Sequence, residues 1–374
     1  MKDVLLFLKK EVVLCVSAML ALGSMYWVKP DAAYLGYIDI RTLSILLCLM
    51  ISMAGLQRLN VFRQLGEALV GAMATIRGVV LVLLLLCFLS SMLITNDVAL
   101  ITFVPFTVVT LSLANRKDLF IPVIVLETIA ANLGSMLTPL GNPQNLYLYG
   151  ISHMSFGEFV MLMLPYSTLS LVMVLLGGVL VTKGEPITAM ESQEYRRNCK
   201  EKVWVLIYIG MFLISLLVVL RVLEYWIGLI LVVSIAHGDR RVLRKPDYSL
   251  LFTFAFLFIF IGNMKRIPQV STWLAGLIQQ NEVLVSLLLS QGISNVPAAI
   301  LCSGFTTNIR GLIVGTNLGG LGTLIASMAS LISFKQYGYT EGAKKGRYVG
   351  VFTIVNLLFL AALLLLYGLR SVWG

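Results

Sequence analysis

Apolar residues fill most of the chain in long blocks, and polar residues collect in short clusters between them. Stretches such as Gly78–Ile94, Leu250–Ile261 and Val349–Leu366 run almost without charge, which is how helices at membrane depth read. Nine blocks predict membrane-spanning helices, over residues 11–28, 38–57, 118–149, 157–182, 202–220, 222–237, 248–264, 310–333 and 347–371. The third and the eighth are interrupted by Gly, Pro and Asn. Two further apolar regions, 78–113 and 281–308, carry polar tips in their middles, Thr95-Asn96-Asp97 and Ser294-Asn295-Val296-Pro297. These are expected to enter and leave the membrane on one side, as re-entrant hairpins.

The charges give this layout a direction. With the N-terminus inside, 21 of the 28 Lys and Arg fall on the inner side. The outer side keeps Lys29, Arg41, Arg221, Lys265, Arg266, Arg310 and Arg370. Such a bias is the positive-inside pattern, and it would largely vanish if either hairpin were a single crossing. The expectation is an inner-membrane protein with a cytoplasmic N-terminus and an external C-terminus. Two amphipathic segments, Asn60–Arg77 and Ile267–Glu282, precede the hairpins and suit either the interface or solvated connector helices.

The chain also repeats itself. Asp39-Ile40-Arg41 opens a span that leads through an amphipathic segment to the first tip, and Asp247-Tyr248-Ser249 opens another with the same sequel. After each hairpin comes a broken span: Asn132-Leu133-Gly134-Ser135-Met136-Leu137-Thr138-Pro139-Leu140-Gly141 in the first, Asn317-Leu318-Gly319-Gly320-Leu321-Gly322-Thr323-Leu324 in the second. An odd number of spans separates Asp39 from Asp247, which sets the two units in opposite orientation. The fold class expected is therefore an all-α polytopic membrane protein of about nine spans plus two re-entrant hairpins, an inverted repeat with two broken helices. The parts are an N-terminal span (1–34), a first repeat (35–182), a cytoplasmic loop (183–201) and a second repeat (202–374). Irregular backbone at membrane depth leaves N–H and C=O groups unpaired, tolerable only inside protein or beside a cavity. Freed backbone groups and half-helix ends can replace an ion's hydration shell, which is the architecture of secondary transporters.

Composition removes other classes. The chain is 59% hydrophobic and 12% charged, with a mean hydropathy of +0.92, far from a soluble domain. Its net charge of +10 is spread over short clusters, so no nucleic-acid partner is implied. Five scattered cysteines (Cys15, Cys48, Cys87, Cys199, Cys302) form no CxxC pair, and two distant histidines, His153 and His237, argue against a metal site. The run after Lys9 and Lys10 starts like a signal peptide but lacks a small-x-small site before Tyr26-Trp27, and is read as a span. No nucleophile–base pair and no ATPase motif is present, so neither an enzyme nor a primary pump is expected.

The phrases Leu93-Ile94-Thr95-Asn96-Asp97-Val98-Ala99-Leu100 and Asn132 through Leu146 resemble the ion transporter superfamily, most of all its arsenite-permease, NhaD-type antiporter and anion-permease branch. The superfamily also holds citrate transporters and divalent-anion/sodium symporters. The resemblance covers residues 35 to 370. It implies a homodimer with a scaffold and a mobile transport region, elevator-like alternating access, and a substrate held between the tips and the broken spans. By position it implies binding roles for Thr95, Asn96 and Asp97, and for Ser294, Asn295 and Pro297 at the second tip. It implies the same for Asn132, Gly134, Ser135, Thr138 and Asn142 in the first broken span, and for Thr316, Asn317, Gly319 and Thr323 in the second. Three features depart from relatives: a single span precedes Asp39, the second tip lacks a Ser-Asn-Thr signature, and Asp97 stands where the dicarboxylate symporters place a neutral Thr.

Asp97 is the sharpest single feature, since a carboxylate at an intramembrane tip needs a cation, a proton or a basic partner. It reads as a coupling residue, with a helix cap as the plain alternative. Glu127, inside the apolar run Leu119–Ala131, is expected either to face the cavity as a second coupling carboxylate or to pair with a basic residue. Arg310 reads as an interfacial residue holding helix-end carbonyls. Tyr26, Trp27, Tyr225, Trp226 and Trp373 read as interfacial anchors. The function expected is proton- or sodium-coupled transport of a small anion, a carboxylate or an inorganic oxyanion, with no cofactor beyond Na+ or H+ as coupling ion. The alternatives are sodium/proton antiport and arsenite or antimonite efflux.

Overall fold

The computed structural model describes residues 11–186 and 198–373. Lys9, Lys10, and most of the 183–201 loop with Arg196 and Arg197, lie outside the described residues. Seventeen α-helices form the described chain: α1 (Val12–Ser24), α2 (Ile40–Arg58), α3 (Val61–Gly71), α4 (Ile76–Ile94), α5 (Asn96–Leu113), α6 (Phe120–Ser135), α7 (Pro143–Ile151), α8 (Phe156–Val181), α9 (Cys199–Val219), α10 (Tyr225–Ala236), α11 (Tyr248–Lys265), α12 (Pro268–Ile278), α13 (Glu282–Ile293), α14 (Asn295–Ser303), α15 (Ile309–Leu318), α16 (Met328–Gly338) and α17 (Lys345–Trp373). Eight helical segments are long and apolar enough to cross a bilayer, so this is a polytopic α-helical membrane protein.

The two apolar regions with polar tips fold as helix pairs, α4 with α5 and α13 with α14, each joined by one residue. The two interrupted spans are broken, at 136–142 between α6 and α7 and at 319–327 between α15 and α16. The amphipathic segments become the short helices α3 and α12. Regions 11–28 and 222–237 differ from a full crossing: within the described residues their helices have 13 and 12 residues, about 20 Å or less at 1.5 Å per residue. A turn at Arg221 (φ 62°) delays the start of α10, and a 3-10 turn at His237–Asp239 ends it.

The local geometry recurs along the chain. Asp39 caps α2 with φ −76° and ψ 85° and accepts from Thr42 N–H; Asp247 caps α11 with φ −76° and ψ 84° and accepts from Leu250 N–H. Taken in order, α1–α8 and α10–α17 correspond, with α9 between them. The correspondence thus reaches back to α1 and α10, before the two capping aspartates.

The two halves exchange partners. Helix α1 packs on α11 and α10 packs on α2. Arg58, at the end of α2, pairs with Asp239 at 2.5 Å, and Arg266, at the end of α11, pairs with Asp31 at 2.8 Å. Each aspartate sits eight residues before the capping aspartate of its own half, and pairs with an arginine of the other. The two pairs are not energetically alike. Asp239 is nearly buried and also accepts from Tyr208 Oη at 2.6 Å, whereas both members of the Arg266–Asp31 pair are exposed. Asp239→Ala strands a buried hydroxyl and a guanidinium and is expected to destabilise by about 1–3 kcal/mol, read as a fall in the melting temperature of the detergent-solubilised protein. Asp31→Ala is expected to leave that temperature unchanged.

Candidate functional site

The site is built from two one-residue turns and two helix breaks. Thr95 links α4 to α5 with φ 69° and ψ 150°, and Ser294 links α13 to α14 with φ 74° and ψ 154°. A non-glycine residue held at such torsions costs on the order of 1–3 kcal/mol and persists where the surroundings dictate it. The surroundings are the breaks. Asn96 N–H donates to Gly141 O at 3.1 Å, and Asn295 N–H donates to Ala326 O at 3.0 Å. Each acceptor lies directly before the residue that opens the next helix: Asn142 before α7 (φ −146°, ψ 144°), with Pro143 in the first turn, and Ser327 before α16 (φ −140°, ψ 137°). Each tip therefore satisfies a carbonyl that the break frees.

Below the tips runs a buried amide network that joins the halves reciprocally. Asn132 Oδ1 accepts from Asn96 Nδ2 at 2.9 Å and from Ser327 Oγ at 3.0 Å, while Asn132 Nδ2 donates to Ser330 Oγ at 3.3 Å. In the other half Asn317 Nδ2 donates to Asn145 Oδ1 at 2.6 Å. Ser330 and Asn145 hold the same place, three residues after Ser327 and Asn142. Ser135 Oγ accepts from Asn142 Nδ2 at 2.6 Å and donates to Asn132 O at 2.9 Å. Within this network two buried carbonyl oxygens are without a partner among the described residues, Asn142 Oδ1 and Asn317 Oδ1. Gly134 and Gly319 serve close approach. A Cβ on Gly134 would stand 2.1 Å from Phe88 O, and one on Gly319 would stand 2.7 Å from Ser290 Oγ, so each hairpin arm lies flush against its broken span.

A cavity of about 200 Å³ opens beside the first tip. Thr95, Asp97 and Asn142 line it, facing Gln57 of α2 and Lys245 and Asp247 of the loop before α11. The other expected residues do not reach it. Asn96, Asn132, Gly134 and Ser135 form its buried support, and Thr138 Oγ1 donates to Met92 O in the first hairpin arm. Ser294, Asn295 and Pro297 are buried at the second tip. Thr316 Oγ1 donates back to Leu312 O, and Thr323 is held at the surface by Gln291. Asp97 lies in the first turn of α5: its N–H donates to Asn96 Oδ1, and the N-cap residue Thr95 makes no side-chain cap hydrogen bond. Asp97 lines the cavity together with Lys245 and Asp247.

Glu127 lies apart from the cavity at the first tip. It lines none of the cavities described for the chain and pairs with no basic residue among the described residues. It is fully buried, accepts from Thr107 Oγ1, and its Oε2 has no partner. Arg310 pairs instead with Glu158 at 3.6 Å on the surface. Sequence reading did not place Gln57, Asn145, Lys245, Ser327 and Ser330 at the site, and marked Asp247 only as a helix start. Continuing the repeat beyond Thr323 would have aligned Ser327 and Ser330 with Asn142 and Asn145. Gln57 and Lys245 carry no local signal, because only tertiary packing brings them to the tip.

Asn132→Ala removes the acceptor of two side chains and is expected to lower stability by about 1–3 kcal/mol in a thermal or denaturant melt. Glu127→Gln keeps the Thr107 hydrogen bond in an environment suited to a neutral side chain, and is expected to stay within about 1 kcal/mol of the parent.

Comparison with known proteins agrees with this architecture. A family model described as citrate transporter (CitMHS) matches residues 4–309. The uncharacterized transporter MJ0456 of Methanocaldococcus jannaschii is 35% identical over 283 residues, 74% of this chain and 75% of its own length. The inner membrane protein YbiR of Escherichia coli is 32% identical over 307 residues, 80% of each chain. The rice silicon efflux transporter LSI3 is 32% identical over 139 residues, 37% of this chain and 28% of its own. The chain is thus a secondary transporter, not an enzyme, and it belongs to the CitMHS citrate-transporter family.

Proposed function

We propose that the chain moves a small anion, a carboxylate or an inorganic oxyanion, in step with a proton or a sodium ion. The observation that carries the reading is the cavity at the first tip, where Asp97 faces Lys245. A cation at Asp97 neutralises the carboxylate, and the anion then sits between that cation and the Lys245 ammonium. The unpartnered Asn142 Oδ1 and Asn317 Oδ1 are neutral oxygens of the kind that take sodium, near the tip and the second break. The name of the family favours a carboxylate, and that of the rice relative, a silicon efflux transporter, favours an inorganic cargo.

In this reading the helix pairs are re-entrant, the units α1–α8 and α10–α17 are inverted repeats, and the transport region moves elevator-like within a homodimer. The N-terminus is cytoplasmic and the C-terminus external, in the inner membrane, which is where YbiR's name places that relative. Coupling requires that only the fully loaded or the empty site crosses. Sodium/proton antiport is the second reading, favoured by the Asp97 carboxylate, which lines the cavity directly after its tip.

The test is proteoliposomes with an internal pH dye, an imposed sodium gradient and a panel of carboxylates and oxyanions. Proton or sodium movement that appears only with one anion supports coupled transport, and exchange without any anion supports antiport. Asp97→Asn is expected to abolish cation-driven uptake. Lys245→Ala is expected to raise the anion's KM roughly tenfold with little change in maximal rate, since it removes one charge contact.

A further inference from the structure

A second cavity, of about 240 Å³, lies between the amphipathic helix α3 and the distal part of α5. Asn60, Arg63, Thr102, Pro105 and Val109 are among its walls. Two residues line both this cavity and the one that holds Asp97: Gln57, in the last turn of α2, and Ile101, one turn beyond Asp97. Asp97, Ile101, Pro105 and Val109 follow each other at intervals of four, so a single stripe of α5 runs from the tip to the α3 end through both spaces.

The wall of that stripe offers oxygen. Pro105 has no N–H, so the Ile101 carbonyl lacks its intrahelical donor at the point where the cavities meet. The Gln57 amide, half-buried at the same point, makes no hydrogen bond among the described residues. The cation of the outer chamber, Arg63, is held by Glu67 at 2.8 Å and leaves no uncompensated positive charge there. We infer that the two cavities are chambers of one aqueous path for a small monovalent cation, leading from the membrane face where α3 lies to Asp97, with Gln57 and Ile101 as its constriction. The inference rests on reading the Asp97 cavity as the coupling-ion site, and adds the route by which that ion arrives.

The test uses silver ion, which is of alkali-cation size and blocks thiols. Single cysteines are placed at Val109, Thr102, Ile101 and Gln57 in a protein whose more accessible Cys15 and Cys199 are replaced by serine. Leu100→Cys, at a fully buried position on another face of α5, is the control. Proteoliposomes are exposed to silver from one side, and thiols left free are alkylated after unfolding and counted by mass spectrometry. Asn60→Cys reports which side carries α3. Expected is blocking of all four positions from the α3 side, slowing from Val109 to Gln57, with Gln57→Cys at least tenfold faster than Leu100→Cys. If Gln57→Cys and Ile101→Cys react no faster than Leu100→Cys, or react only from the opposite side, the path does not exist. Ile101→Cys serves alone if Gln57→Cys does not fold. Because no transported substrate enters the measurement, its outcome is separate from that of the flux experiment.

Discussion

Two backbone hydrogen bonds, Asn96 N–H to Gly141 O and Asn295 N–H to Ala326 O, hold together everything that distinguishes this molecule from a plain bundle of helices. A helix broken in an apolar medium exposes carbonyls and amides that water cannot reach, and each costs several kcal/mol if left bare. Here the tip of a helix pair meets each break with an N–H group. The bond fixes the pair's depth, forces Thr95 and Ser294 into left-handed backbone, and brings Asp97 to the mouth of a cavity. The close contact of Gly134 with Phe88 and of Gly319 with Ser290 follows from the same docking, since a longer stand-off would pull the tips away from the breaks.

The halves are joined by exchange and not by stacking. Asn132 reaches Ser330 of the other half while Asn317 reaches Asn145, and the ion pairs Arg58–Asp239 and Arg266–Asp31 repeat that reciprocity at the periphery. The symmetry is incomplete where it matters. Asn132 Oδ1 is saturated by Asn96 and Ser327, whereas its counterpart Asn317 Oδ1 has no partner. The first tip lines an open cavity, and the second tip is buried. Two units of the same design thus have different local surroundings within one chain.

Much of this was legible in the residues because it is local. Helices, breaks and tips follow from hydrophobic blocks interrupted by Asn, Gly and Pro, and Asp39 and Asp247 announce matching helix starts. Binding roles were less legible. Position within a motif does not tell whether a side chain faces a cavity, as for Asp97, or supports the backbone beneath it, as for Asn132 and Ser135. The surroundings of Glu127 were hidden for a related reason: one carboxylate in an apolar run suggests a cavity or a cation, and only packing shows that a threonine hydroxyl is its neighbour.

The single-residue links at Thr95 and Ser294 have a bearing on how such chains diverge. A link of one residue has no slack. An added or lost residue there would turn the following helix by about 100° and carry Asp97 away from the cavity, while also unseating the tip from its break. Descendants of this design can therefore exchange side chains on the facing walls, such as Gln57 and Lys245, far more freely than they can change the length of a tip.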